Sequence, residues 1–332
     1  MNKKGTGKTI RAVDLFAGVG GSSCGAHLAG VDVVAAIDAW TLAKKNYSLN
    51  FPHTEYFKHK CETFDVSRIA TTLTVPIDLL LASPECTNHT CAKGSAERSE
   101  ESRETAFQVI RFAKVLRPRW IVIENVVHMK NWERYDEWCA ELVRMGYNLR
   151  KQVLNASDFG VPQTRKRLFI IGDRLAIPPK VSPLTATASQ AVTSFINRNG
   201  TYPFTLLRTP NRAKGTLQRA RRAIKNVGSN SPFLLVYYGT DGAGGWQKVD
   251  RPLRTVTTVD RFAYVRMGAA GKHEMRMLQV PEIQAAMGFP PDFRLEHGTR
   301  RDKIKSLGNA VCPPVMKRII EVLTSSNNMP GI

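Results

Sequence analysis

The stretch that most narrows the fold is residues 12–28. A short apolar run, Ala12 to Phe16, is broken by Asp14, followed by Gly18, Gly20 and Gly21, and then by a helix-like segment to about Leu28. Strand, glycine turn and helix in that order let a ligand approach the backbone closely. Val31 to Ile37 is a β-branched run and reads as a second strand; Thr41 to Leu49 reads as a helix. Ile77 to Ala82, Trp120 to Ile123, Lys151 to Ala156 and Leu168 to Gly172 continue as strands. Thr105 to Leu116 and Asp136 to Met145 continue as helices, the second closed by Gly146. This alternation predicts a doubly wound α/β sheet.

The glycine turn carries the first candidate residues. Asp38 ends the second strand, 20 positions after Gly18, where nucleotide-binding α/β folds place an acid against a ribose hydroxyl. A dinucleotide fingerprint wants glycine at position 23, where Ser23 stands. The pattern therefore disfavours NAD and suits an adenosine-containing ligand without a pyrophosphate. Asp65 is a candidate for the adenine or a surface acid. Phe16 packs either against the ligand or into the core. Trp40 is a weaker candidate near the adenine.

Two further segments sit at strand ends, the side that faces the ligand crevice in open α/β sheets, and a third, Gln163 to Arg167, precedes the strand that begins at Leu168. In Ser83-Pro84-Glu85-Cys86 the cysteine can act as a thiolate nucleophile if its pKa is lowered. Cys91 is a rival deeper in the following loop, and that loop, to Glu104, reads as either a lid or a solvated linker. Glu124, in Ile123-Glu124-Asn125-Val126, can exchange a proton or cap a helix. Arg165 and Arg167, in Gln163-Thr164-Arg165-Lys166-Arg167, point to one side of an extended segment. They can hold an anion or orient Glu124.

Beyond Leu175 the texture changes. Pro178, Pro179 and Pro183 interrupt the chain, and from Arg208 to Lys225 it holds seven Lys and Arg and no acid. The whole chain carries 48 Lys plus Arg against 28 Asp plus Glu, a net charge of +20. Solubility needs far less, so a polyanion, most simply nucleic acid, is the expected partner. The six cysteines form no C-x-x-C pair, which disfavours zinc and fits reduced thiols in a cytoplasm. No apolar run approaches a membrane span, and Met1 to Ile10 reads as a basic tail, not a signal peptide or phosphate loop.

In order and spacing these segments resemble the DNA (cytosine-5)-methyltransferases. Asp14 to Gly21 is similar to their cofactor loop, Cys86 to the nucleophile of their Pro-Cys motif, Glu124-Asn125-Val126 to their Glu-Asn-Val motif, and Gln163, Arg165 and Arg167 to their Gln-x-Arg-x-Arg motif. Arg251 to Thr257 resembles the segment that begins their return to the catalytic domain, and Gly308-Asn309-Ala310-Val311 their final motif. One departure stands out: Glu85 is inserted between Pro84 and Cys86.

The resemblance implies a Rossmann-like α/β S-adenosylmethionine-dependent methyltransferase sheet with a smaller target-recognition domain. The expected division is catalytic 1–174, recognition 175–300 and return 301–332. It implies catalytic roles for Cys86, Glu124, Arg165 and Arg167. Phe16, Gly18, Gly20, Asp38, Asp65 and Asn309 would lie around S-adenosylmethionine, Asn309 ordering the glycine loop. Duplex DNA would be the substrate, its cytosine flipped from the stack. A restriction endonuclease would be a functional partner, and the protein a cytoplasmic monomer. The alternatives are the same chemistry on tRNA, a catalytically silent binder, and transfer of a group other than methyl.

Overall fold

A computed structural model describes residues 9–84, 100–183, 190–198, 200–238, 242 and 244–325, with the backbone alone at 70 and 100–104. In chain order the first elements are β1 (Arg11–Leu15), α1 (Gly21–Leu28), β2 (Asp32–Asp38), α2 (Thr41–Asn50), β3 (Glu55–Lys58), α3 (Ser67–Leu73), β4 (Leu79–Ala82), α4 (Glu100–Leu116), β5 (Trp120–Asn125), α5 (Tyr135–Arg144), β6 (Asn148–Asn155) and β7 (Lys166–Asp173). There follow β8 (Thr205–Leu206), α6 (Lys214–Val227), β9 (Phe233–Val236), β10 (Trp246–Lys248), β11 (Phe262–Met267), β12 (His273–Met277), α7 (Val280–Ala286), α8 (Arg300–Asn309) and α9 (Pro313–Ser325).

A seven-stranded sheet runs β3-β2-β1-β4-β5-β7-β6. The first five pair in parallel, and β7 lies antiparallel to both β5 and β6. The chain winds outward from β1 through β2 and β3, then crosses back to β4. The carboxyl ends of β1 and β4 thus flank the point where winding reverses, the usual crevice of such sheets. Central strands β1, β4 and β5 are nearly continuous apolar runs because helices cover both faces. On α5, Tyr135, Trp138, Cys139 and Leu142 are buried at helical spacing, and Asp136, Glu137 and Arg144 complement the helix dipole. Helix α9 packs on α1 at Gly25, where a Cβ would lie 2.6 Å from Met316 Cβ. The C-terminal segment thereby docks beside the start of the chain.

The second sheet, β10-β9-β11-β12-β8, is antiparallel throughout. One face (Leu234, Val236, Phe262, Tyr264) joins the core that contains Leu253, Val256, Leu278 and Ile283; the other (Phe233, Leu235, Ala263, Val265) packs against α6. Residues 280–299 also touch the first sheet's surroundings. Gln163 donates to the Ala286 carbonyl, and Asn46 and Asn50 donate to His297 and Arg294.

The alternation expected from sequence is present, with shifted ends. Helix α4 starts at Glu100, ahead of Thr105, and β6 at Asn148, ahead of Lys151. Elements β3, α3, β8, α6, β10, β11, β12 and α8 go beyond the sequence reading.

Candidate active site

At the end of β1 the backbone turns sharply. Phe16, Gly18 and Gly20 all have positive φ, at 57°, 52° and 96°. For Phe16 this is a strained conformation, of a kind that concentrates at ligand sites. Asp38 fixes the turn: its Oδ2 accepts the Gly18 N–H at 3.0 Å and its Oδ1 the Trp40 N–H at 2.8 Å. Burial holds the Asp38 carboxyl above the usual range. A Cβ at Gly18 would meet nothing within 4 Å, so the space beside the turn is open to a ligand. Gly21 is the reverse case, since its Cβ would lie 2.4 Å from the Val311 carbonyl oxygen.

Beneath the turn lies Asp14, fully buried on β1. Ser23 Oγ donates to its Oδ2 at 2.6 Å and lies 2.7 Å from Tyr47 Oη. Oδ1 is buried with no hydrogen-bond partner among the described residues. Burial pushes this carboxyl up to about 7, against the opposing effect of the Ser23 hydrogen bond.

The chemistry end lies one strand over. Ser83, just past β4, donates its N–H to Leu15 O, and its Oγ is buried without a partner among the described residues. Asn125 Nδ2 donates to the Pro84 carbonyl at 3.3 Å, tying the strand end that leads to Cys86 to the end of β5. Glu85, Cys86 and Cys91 lie outside the described residues, as does most of the loop that follows.

Glu124 is buried at the end of β5. Antiparallel pairing sets Glu124 opposite Phe169 and Asn125 opposite Leu168, which brings the amino end of β7 alongside. Arg167 Nε then lies 3.1 Å from Glu124 Oε1. Burial raises the Glu124 pKa, and Arg167 and Arg165 partly offset this. A small cavity behind the carboxyl is lined by Glu124, Arg165, Arg167, Phe169, Val311 and Cys312, among others. The two arginines therefore share a side of the segment, as the alternation predicts.

Arg165 makes contacts that its sequence position does not reveal. Its Nη1 donates to Val256 O at 2.9 Å, and its Nη2 to Gly308 O at 2.8 Å and Ala310 O at 3.2 Å. Gln163 reinforces this: its Nε2 donates to Ala286 O at 3.0 Å, and its Oε1 accepts the Val256 N–H at 2.8 Å. Both side chains clamp residues 256, 286, 308 and 310 onto the segment that leads into β7 of the first sheet.

The remaining candidates scatter. Phe16 is half-buried beside the first apolar core and Trp40 begins α2, with Lys305 Nζ 5.2 Å from the Trp40 ring centre. Asp65 is exposed; its Oδ1 accepts from Ser67 N and Oγ, which lowers its pKa and starts α3. Asn309 is exposed at the end of α8, and the packing on the glycine turn comes from Val311. Cys312 was not singled out from sequence. It is buried in the Glu124 cavity, with its thiol pushed up to about 11 by burial; only adjacency to Gly308 to Val311 could have flagged it.

The profile of the family described as C-5 cytosine-specific DNA methylase matches residues 10–325. The chain is 28% identical over 306 residues to the Type II methyltransferase M.HgiDI of Herpetosiphon aurantiacus, covering 91% of this chain and 90% of that protein. It is 26% identical over 326 residues to the Type II methyltransferase M.HindV of Haemophilus influenzae, covering 97% and 98%. Among solved structures, the methyltransferase EhMeth of Entamoeba histolytica superposes with a TM-score of 0.70 at 16% identity, covering 97% of this chain and 100% of the other. That likeness shows a shared fold.

Proposed function

The chain belongs to the C-5 cytosine-specific DNA methylase family, and on that premise we propose how its own residues methylate carbon 5 of cytosine in DNA. Carbon 5 is a poor nucleophile. Addition of the Cys86 thiolate to carbon 6 makes it electron-rich. The negative charge that develops in the ring is relieved at N3 by a proton held by Glu124. Burial of Glu124 favours its protonated form, and Arg167 keeps the carboxyl at the end of β5. S-adenosylmethionine supplies the methyl group as an electrophilic sulfonium. Transfer of the carbon-5 proton to water or a base then restores the ring double bond, breaks the carbon–sulfur bond and frees Cys86 as thiolate, while the N3 proton returns to Glu124.

Open space at Gly18 and the Ser83 Oγ, which has no partner among the described residues, fit a ligand of that kind in the crevice. Phe16, Gly18, Gly20 and Asp38 would hold it, with Asp65 on the adenine side. Asn309 acts through its backbone neighbours: Gly308 and Ala310 are held by Arg165, and Val311 backs the glycine turn. Arg165 is thus a positioning residue as well as a candidate for steadying the base carbonyl.

The observation that carries this reading is the pairing of Asn125 with the Pro84 carbonyl beside the Glu124–Arg167 pair. It ties Pro84, the last described residue before Cys86, to the strand end that carries the carboxyl proposed to protonate the base. The proposed division keeps 1–174 as the catalytic unit, 175–300 as the target reader and 301–332 as the return; the antiparallel sheet falls in the second part, whose Ala286, Arg294 and His297 already bind Gln163, Asn50 and Asn46. Type II methyltransferase relatives support a duplex DNA substrate, a paired restriction endonuclease and a cytoplasmic setting.

Transfer of tritium from labelled S-adenosylmethionine to pooled bacterial DNA tests the assignment. Cys86→Ala is expected to lose turnover and keep S-adenosylmethionine binding by calorimetry, while Cys91→Ala stays active. Full turnover in Cys86→Ala, or transfer to tRNA alone, would reject it.

A further inference from the structure

The basic run on the recognition side is not one surface. Between Asp173 and Asp241 the chain holds no Asp or Glu, so every cation there lacks a local counter-charge. The structure divides those cations by what they touch. Arg212 donates to the carbonyls of Leu206 and Leu207 and closes the turn before α6. Arg219 lies over the Tyr237 ring at 5.3 Å, and Arg222 Nε donates to Gly244 O at 3.0 Å. These three hold α6 on its sheet.

Lys214, Arg221 and Lys225 do something else. All three are exposed, and none forms an ion pair among the described residues. Their spacing of seven and four places them within a narrow arc of one helix face, with exposed Gln218 between them. Buried Thr216, Ala220 and Ala223 occupy the opposite face, against the outer side of the second sheet. At ~1.5 Å per residue the stripe spans about 16 Å, roughly half a turn of duplex.

The sheet that carries α6 is tied to the segment that holds Arg165. Gly244, which Arg222 holds, is followed by Gly245, whose carbonyl accepts the Val236 N–H at the end of β9. Two residues on, Tyr238 Oη donates to Thr255 O, and Thr255 Oγ1 to Thr164 O, next to Arg165. Helix α6 packs on the face of that sheet opposite the one that joins the core around Leu253 and Val256.

We propose that Lys214, Arg221 and Lys225, with Gln218, form a phosphate rail that holds duplex DNA flanking the methylated site. This rests on the DNA reading above and adds a second contact outside the base-reading crevice. Long mobile cations on an outward helix face suit phosphates, which fix register without reading sequence. The rail makes affinity depend on DNA length.

The test is fluorescence anisotropy with random-sequence duplexes of about 12 to about 36 base pairs over a range of salt, spanning one to three helical turns. The full chain is compared with a variant carrying K214Q, R221Q and K225Q together. On the longest duplex the variant is expected to lose about 2.7 from the slope of log affinity against log salt, at ~0.9 per phosphate contact. On the shortest duplex the two proteins are expected to match. An unchanged slope at every length overturns the rail. An equal loss at every length overturns its flanking position, and a loss seen on duplex RNA and absent on DNA assigns the stripe to another partner. Wild-type protein that binds no duplex removes the DNA reading itself.

Discussion

Asp14, beneath the glycine turn, is a buried carboxyl whose titration can be followed in solution. Its carboxyl is fully buried, Ser23 satisfies one oxygen, and the pKa is about 7 against an ordinary 3.8. Between those two values the folded protein binds a proton that the unfolded chain has released. Stability therefore falls as pH rises through that window, and it levels off above the folded pKa. From about pH 4.5 to about pH 8 the loss amounts to about 3 kcal/mol, at ~1.36 kcal/mol per unit of pKa difference. Asp14→Asn keeps an acceptor for the Ser23 hydroxyl and has no charge to bury. Urea unfolding across the range should show the wild type losing on the order of 1 M in midpoint relative to the variant. The difference between the proteins is the readout, because Glu124 and Asp38 also titrate upward and are common to both. Parallel curves for the two proteins would refute a buried, proton-binding Asp14.

Three further outcomes follow from the packing. Gly21→Ala drives a Cβ into the Val311 carbonyl, 2.4 Å away; a loss of about 1–3 kcal/mol is expected, and thermal melting within error of wild type would contradict it. Arg276 and Glu282 form a bidentate pair at 2.7 Å with both side chains 3% exposed. Glu282→Gln should cost about 3–5 kcal/mol, and joint replacement with Arg276→Met should recover part of it, whereas additive losses in denaturant would deny the coupling. Glu124→Gln should slow methyl transfer by about 10²–10⁴ with folding unchanged; single-turnover rates near wild type would remove the proton role.

The parallel half of the fold was legible because each element there declares itself locally. Apolar runs end in glycine or proline, and the helices between them repeat at 3.6 residues. The second sheet was harder. Helix α6 carries its apolar repeat, Leu217, Ala220, Ile224 and Val227, among so many arginines that charge masks periodicity. Strands β11 and β12 depend on pairing with distant partners such as β9 and β8. At the site, motif order located Glu124 and Arg167 correctly beside each other. It did not disclose that Arg165 spends its guanidinium on three carbonyls, two of them more than 140 residues away. Such contacts exist only once the C-terminal segment has returned to α1. The same holds for Cys312, which joins the Glu124 cavity through that return.

The most direct test of the central claim is to trap the covalent intermediate. Protein is incubated with S-adenosylmethionine and pooled duplex DNA carrying 5-fluorocytosine, in which fluorine blocks departure from carbon 5. Peptide mass spectrometry then locates the bond. An adduct on Cys86, one residue beyond the inserted Glu85, is the expected result. An adduct on Cys91, or methylation of unmodified DNA with no adduct of the fluorinated DNA on any cysteine of the protein, would contradict it.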